Sequence, residues 1–214
     1  MINQRRLWKR IMAVGEIGKE KSGGVTRVAF TSEDREVKDL VSGYMKEAGL
    51  NVYEDSVGNL IGRKEGRNPD APAIITGSHL DTVRQGGNFD GVLGVLGGIE
   101  VLQVMKDNNI EIVHPIEVIA FTGEDAGRFS GMLGSRGFTG ALKEEDLQET
   151  DVQGVTMEEA MRQAGYPPEA ITQAVRPKGT VKAFVELHIE QGRVLEDRGI
   201  SVGCLTNIYS QLKD

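Results

Sequence analysis

The chain has 214 residues, 39% of them hydrophobic and 27% charged, a composition that suits one globular domain with a core of its own. Twenty-five Lys and Arg against 32 Asp and Glu leave a formal net charge of −7, and no stretch gathers basic residues into the footprint that a nucleic-acid partner requires. No run reaches the roughly 20 apolar residues of a membrane span, and the single cysteine, Cys204, excludes an intrachain disulfide and fits a cytoplasmic location.

The first residues, MINQRRLWKRIMAVGEIG, open on a basic cluster like that of a targeting peptide, but Glu16 cuts the apolar run short. Leu7, Ile11, Val14 and Gly18 fall at helical spacing and predict an amphipathic helix. Thr31 and Ser32 offer the next N-cap, with Glu33 and Asp34 complementing the positive helix end. Val37, Leu40, Val41, Tyr44, Met45 and Ala48 then form an apolar stripe that Gly49 ends. Short strands follow over 50–53 and 59–63, and APAIITG at 71–77 has the near-continuous apolar character of a buried strand.

From Asp90, DGVLGVLGGIEVLQVMKD is apolar almost all round, and Gly91, Gly94, Gly97 and Gly98 thin one helix face for close approach to a sheet. These glycines do not match a dinucleotide fingerprint, and no Lys-Ser or Lys-Thr completes a phosphate loop. Another buried strand is expected over 116–121, and a third strong one over 181–189. The polar excursion between Gly140 and Gly179 carries a capping box, Thr156 to Glu159, predicting a short helix packed on the surface. Alternating strands and helices imply a three-layer α/β/α fold with a central mixed, mostly parallel sheet, whose ligands bind at strand carboxyl ends.

Those ends carry the candidate chemistry. In GSHLDTV, His79 and Asp81 stand two apart, so both side chains share one side of extended backbone. A carboxylate beside an imidazole fixes its tautomer, as metal-binding histidines need, although such a pair also caps strands. Asp90 opens the buried helix, either bridging cations or serving as an ordinary N-cap. Glu124 and Asp125 are adjacent carboxylates that repel unless a cation neutralises them or one holds a proton. His188, in ELHIEQG, supplies a second imidazole at a matching place in the sheet. Together these residues can form a two-metal site. His114, before Pro115 at the start of a strand, belongs to the opposite edge and reads as structural, and nothing near Cys204 makes it a reactive thiol.

GSHLDTV, GGNFDGVLGV, the acidic pair followed by RF, MLGSRGFTG and ELHIEQGRVLE occur in one order over nearly the whole chain. In these motifs it resembles the N-carbamoyl-amino-acid hydrolase and allantoate amidohydrolase family, hydantoinase/carbamoylase-type amidases of the two-zinc exopeptidase clan. The resemblance implies His79 and His188 on one metal, Asp90 bridging both, Asp125 on the second, Glu124 as general base and Gln191 touching substrate, and Asp81, beside His79, is read with Glu124 as a catalytic residue. It implies two divalent ions, zinc or manganese with cobalt an alternative. The small-molecule substrate would be a ureido compound, an N-carbamoyl amino acid or allantoate, yielding ammonia and carbon dioxide.

Clan peptidases usually place a carboxylate where His188 stands, so the histidine favours ureido over peptide hydrolysis. Asp125 stands where the family has Glu, shorter by about 1.5 Å, which weakens the expectation of the second ion. The family continues into an inserted lid and returns with a third histidine ligand, whereas this sequence has three histidines in all. The resemblance thus implies an incomplete catalytic domain over 1–203 and the beginning of a lid over 204–214, with impaired activity and an exposed surface that invites self-association. A non-catalytic metal-binding or interaction fragment, and an aminopeptidase or dipeptidase of the same clan, are the alternatives.

Overall fold

Asn3 caps the first helix by accepting from the Arg6 amide, and α1 runs Gln4–Gly15 in this computed structural model, which describes residues 1–205. Ile11 and Val14 are buried as their spacing predicts, whereas Gly18 lies beyond the helix in a turn. Thr31 caps α2 (Ser32–Glu47), whose Val37, Val41 and Met45 face the core, and Gly49 follows its last turn in the left-handed region.

Five strands form one sheet: β1 (Asn51–Glu54), β2 (Leu60–Lys64), β3 (Ala73–His79), β4 (Ile116–Phe121) and β5 (Val181–Val185), in the order β1-β2-β4-β3-β5. β3 pairs in parallel with β4 and β5, while β2 is antiparallel to β1 and β4, so the sheet is mixed and β2 alone runs against the rest. Helices α1, α2 and α3 (Val92–Asp107) share one apolar cluster with Leu60, Val118 and Ala120. On the other face Ile61, Ala73, Ile75, Ile119 and Phe121 pack together with Phe138 of α4 (Leu133–Thr139).

The thin face of α3 does what its glycines suggest. A Cβ on Gly94 would lie 2.5 Å from the Leu187 carbonyl oxygen, and one on Gly98 2.9 Å from Thr76 Cγ2, so only glycine lets this helix lie so close to β3. The same contact shortens the last strand. The predicted 181–189 element ends at Val185, because the chain then crosses the start of α3 with the Leu187 carbonyl seated on Gly94. Despite its apolar sequence, β5 leaves Phe184 and Val185 exposed.

The excursion is more than surface packing. The predicted capping box forms in both directions, Glu159 N to Thr156 Oγ1 at 3.1 Å and Thr156 N to Glu159 Oε2 at 3.0 Å, and starts α5 (Met157–Gln163). Met157, Ala160 and Met161 join Leu142, Leu147 and Ile171 in a cluster with Phe30, Val57 and Leu133. The expectation of a single core therefore gives way to several clusters, since short helices hide their apolar spacing among polar neighbours. Helix α6 (Val194–Arg198) follows the sheet. From residue 206 on, the expected lid segment lies outside the described residues. Among those described, no helix is long and apolar enough to cross a membrane.

Candidate metal centre

His79 is the last residue of β3, and His188 lies three residues past the end of β5, the neighbouring parallel strand. His79 Nδ1 is 2.9 Å from the Asp81 carbonyl oxygen, and His188 Nδ1 is 2.9 Å from that of Ile189. A carbonyl only accepts, so each neutral ring carries its proton on Nδ1 and turns the Nε2 lone pair outward. Both lone pairs face one atom: Asp90 Oδ1 is 3.6 Å from His79 Nε2 and 3.1 Å from His188 Nε2. That oxygen is buried and has no hydrogen-bond partner. Two lone pairs and an anionic oxygen repel unless a proton or a cation lies between them. The three groups offer ligand atoms all within 4.8 Å of one another, and imidazole with carboxylate is a donor set that suits zinc or manganese.

Asp90 is not the N-cap of α3. That position belongs to Gly91, whose φ of 66° turns the chain and leaves the Asp90 carboxylate aimed at the histidines without any capping bond. A Cβ on Gly91 would stand 2.5 Å from the His79 carbonyl oxygen and 2.6 Å from ring atoms.

Asp81 acts differently from the sequence expectation. Its carboxylate oxygen is 4.0 Å from His79 Nδ1, and the two oxygens instead accept from the backbone amides of Glu124, at 3.2 Å, and Asp125, at 2.9 Å. The side-chain alternation that paired it with His79 ends with the strand, so the Asp81 backbone orients the imidazole while its carboxylate ties the β3 loop to the β4 loop. Burial pushes its carboxyl up to about 7, against the pull of His79 and the two amides.

The acidic pair diverges. Both oxygens of Glu124 accept from Ser135, from its amide and its hydroxyl at 2.8 Å each, while Asp125 Oδ2 accepts from the Val83 amide at 3.1 Å. Burial raises both carboxyls above the ordinary range, Glu124 with help from nearby Glu186 and Asp125 with help from Asp90. Among the described residues Asp125 does not join the His79, Asp90 and His188 group. Gln191 sits against Asp90, its Nε2 donating to Oδ2 at 2.8 Å from a backbone with φ of 53°. His114 is structural as expected, its Nδ1 2.9 Å from the Pro72 carbonyl oxygen.

Three supporting residues carried no signal of their own in the sequence. Ser135 holds Glu124. Buried Lys38 donates to Asp34 Oδ2 at 3.0 Å and to Thr122 Oγ1 at 3.1 Å, just before the acidic pair. Buried Arg27 donates to the Leu80 carbonyl between His79 and Asp81, and burial lowers its pKa to about 10.

A sequence profile described as peptidase family M28 matches residues 59–184, which include His79, Asp90, Glu124 and Asp125. The chain belongs to peptidase family M28. It is 58% identical over 209 residues to the N-carbamoyl-L-amino acid amidohydrolase of Geobacillus stearothermophilus, covering 97% of this chain and 51% of that protein. It is 41% identical over 194 residues to the ureidoglycolate hydrolase of Arabidopsis thaliana, covering 87% of this chain and 41% of that protein. The crystal structure of a hydantoinase/carbamoylase family amidase from Burkholderia ambifaria superposes with a TM-score of 0.84 at 42% identity, over 92% of this chain and 48% of that one. The chain spans about half the length of the curated relatives it matches.

Proposed function

We propose that this chain forms the cation-binding part of an amidohydrolase that splits a ureido C–N bond, in an N-carbamoyl amino acid or in a ureido acid such as allantoate. Water and the carbamoyl group would yield the free amine, ammonia and carbon dioxide. The observation that carries the reading is the buried, unpartnered Asp90 oxygen facing two imidazole lone pairs. The names of the relatives support the ureido class, and so does a histidine, not a carboxylate, at position 188.

In this reading His79, His188 and Asp90 would hold one divalent ion, and Asp90 with Asp125 would hold a second. Ions bound there would supply Lewis-acid chemistry for activating water and the ureido carbonyl. Glu124, with a carboxyl raised by burial, takes a proton from water and returns it to the departing nitrogen. To do so it must free one oxygen from Ser135. The Asp81 carbonyl keeps His79 in the ligating tautomer throughout.

With manganese and N-carbamoyl-L-amino acids, ammonia release is expected, and Glu124→Gln should lower it by about 10²–10⁴-fold, the usual contribution of a positioned acid–base group. Cations bound without any release would instead favour a non-catalytic module, and dipeptide cleavage with the same Glu124 dependence would favour a peptidase.

Zinc affinity should weaken in acid. Burial disfavours the charged His79 ring, but Asp81, Asp125 and Asp90 outweigh it, so the ring takes its proton at a pH above the ordinary 6.5. Apparent affinity is then full above that pKa and falls by up to about tenfold per pH unit below it. Calorimetric titrations between pH 8 and about 6 check this, and a flat profile would exclude His79 as a ligand.

A further inference from the structure

The acidic groups of the centre are not equally available. Asp125 Oδ2 is held by the Val83 amide and Glu124 by Ser135. Asp90 is split between two environments: Oδ1 is buried, unpartnered and faces both imidazoles, whereas Oδ2 accepts the Gln191 amide at 2.8 Å. A carboxylate that bridges two cations in the two-oxygen mode gives one oxygen to each. The first position is therefore open, and the second is covered by a donor whose N–H hydrogens carry partial positive charge and exclude a cation from the same lone pair.

Gln191 holds this place from an unusual backbone. It is one of a few non-glycine residues with positive φ, at 53°, and follows directly on the His188–Glu190 segment, so its amide is carried back over the helix entrance that presents Asp90. Its side chain is exposed, so it can swing away.

We propose that Gln191 guards the second cation position, so that the centre fills in order: an ion between His79, His188 and Asp90 Oδ1 first, and a second on Asp90 Oδ2 only after the Gln191 amide has left it. The inference rests on the metal reading given above.

The test is a calorimetric titration of chelator-treated protein with manganese and with zinc, comparing wild type, Gln191→Ala and His79→Ala, with circular dichroism to confirm folding. Wild type should show one tight step and a weaker second step. In Gln191→Ala the second step should tighten by about tenfold with the first unchanged, the fold-change expected for removing one hydrogen bond to a charged group at an exposed position. His79→Ala should lose the tight step. A second step that is unchanged or weaker in Gln191→Ala, or absent from both proteins, overturns the guarding role while leaving the first site standing. Absence of any ion from wild type overturns the metal reading itself, and the guarding role with it.

Discussion

Gly91→Ala is expected to destabilise the protein by about 2–4 kcal/mol and to abolish tight zinc binding while every ligand remains in the sequence. The methyl group would meet the His79 carbonyl oxygen at 2.5 Å and the imidazole at 2.6 Å, on a backbone with φ of 66°. An L-residue in the left-handed region costs about 1–2 kcal/mol, and relieving the overlap adds a comparable amount. The relief comes by displacing His79 or the Asp90 turn, and either opens the ligand geometry by more than the few tenths of an ångström that coordination allows. Gly87→Ala, three residues from Asp90 and with nothing within 4 Å of its Cβ, is the control that should change neither property. Urea unfolding and calorimetry read the two effects, and a Gly91→Ala protein that binds zinc like wild type would mean that His79 does not sit where this geometry places it.

Asp34→Ala should cost more stability than any exposed charge replacement, about 3–5 kcal/mol, because it leaves Lys38 as an uncompensated buried cation. Lys38 and Asp34 are 2% and 3% exposed and 3.0 Å apart, and Asp34 also accepts from the Phe30 amide. Asp34→Asn keeps an acceptor for both partners and should cost less, which separates the charge from the hydrogen bonds in a urea series. The effect reaches the centre: Lys38 also donates to Thr122, whose amide is accepted by Asn59 Oδ1 at 2.9 Å, and this fixes the root of the Glu124 loop. If the midpoint of Asp34→Ala matched wild type, Lys38 would have an exit to water that its burial denies.

Much of this architecture was legible because hydrophobic period reports directly on which face is buried. The stripe from Val37 to Met45, the apolar run at 116–121 and the glycine-thinned helix after Asp90 lie where their spacing placed them, and the run expected at 71–77 forms β3 two residues later, at Ala73–His79. The strand-end rule places His79, Asp90, Glu124, Asp125 and His188 in one region from the sequence alone. Period failed where short elements mix polar and apolar residues, as in the second cluster around Met157 and Leu142. It failed again after Val185, where contact with Gly94 outweighs β propensity.

The sequence by itself determined the element types, through local spacing, and the family, through its motifs, and it nominated the residues proposed to bind a cation. Only the tertiary structure decided which atoms of those residues face each other. Asp81 was set to orient His79 by its side chain and does so by its carbonyl, Asp90 was open to being a helix cap and aims at two imidazoles, and Gln191 meets Asp90 itself. Each outcome depends on where a strand ends or a φ turns positive, and those are settled by long-range packing, such as the seating of Gly91 beneath His79, that no local pattern records.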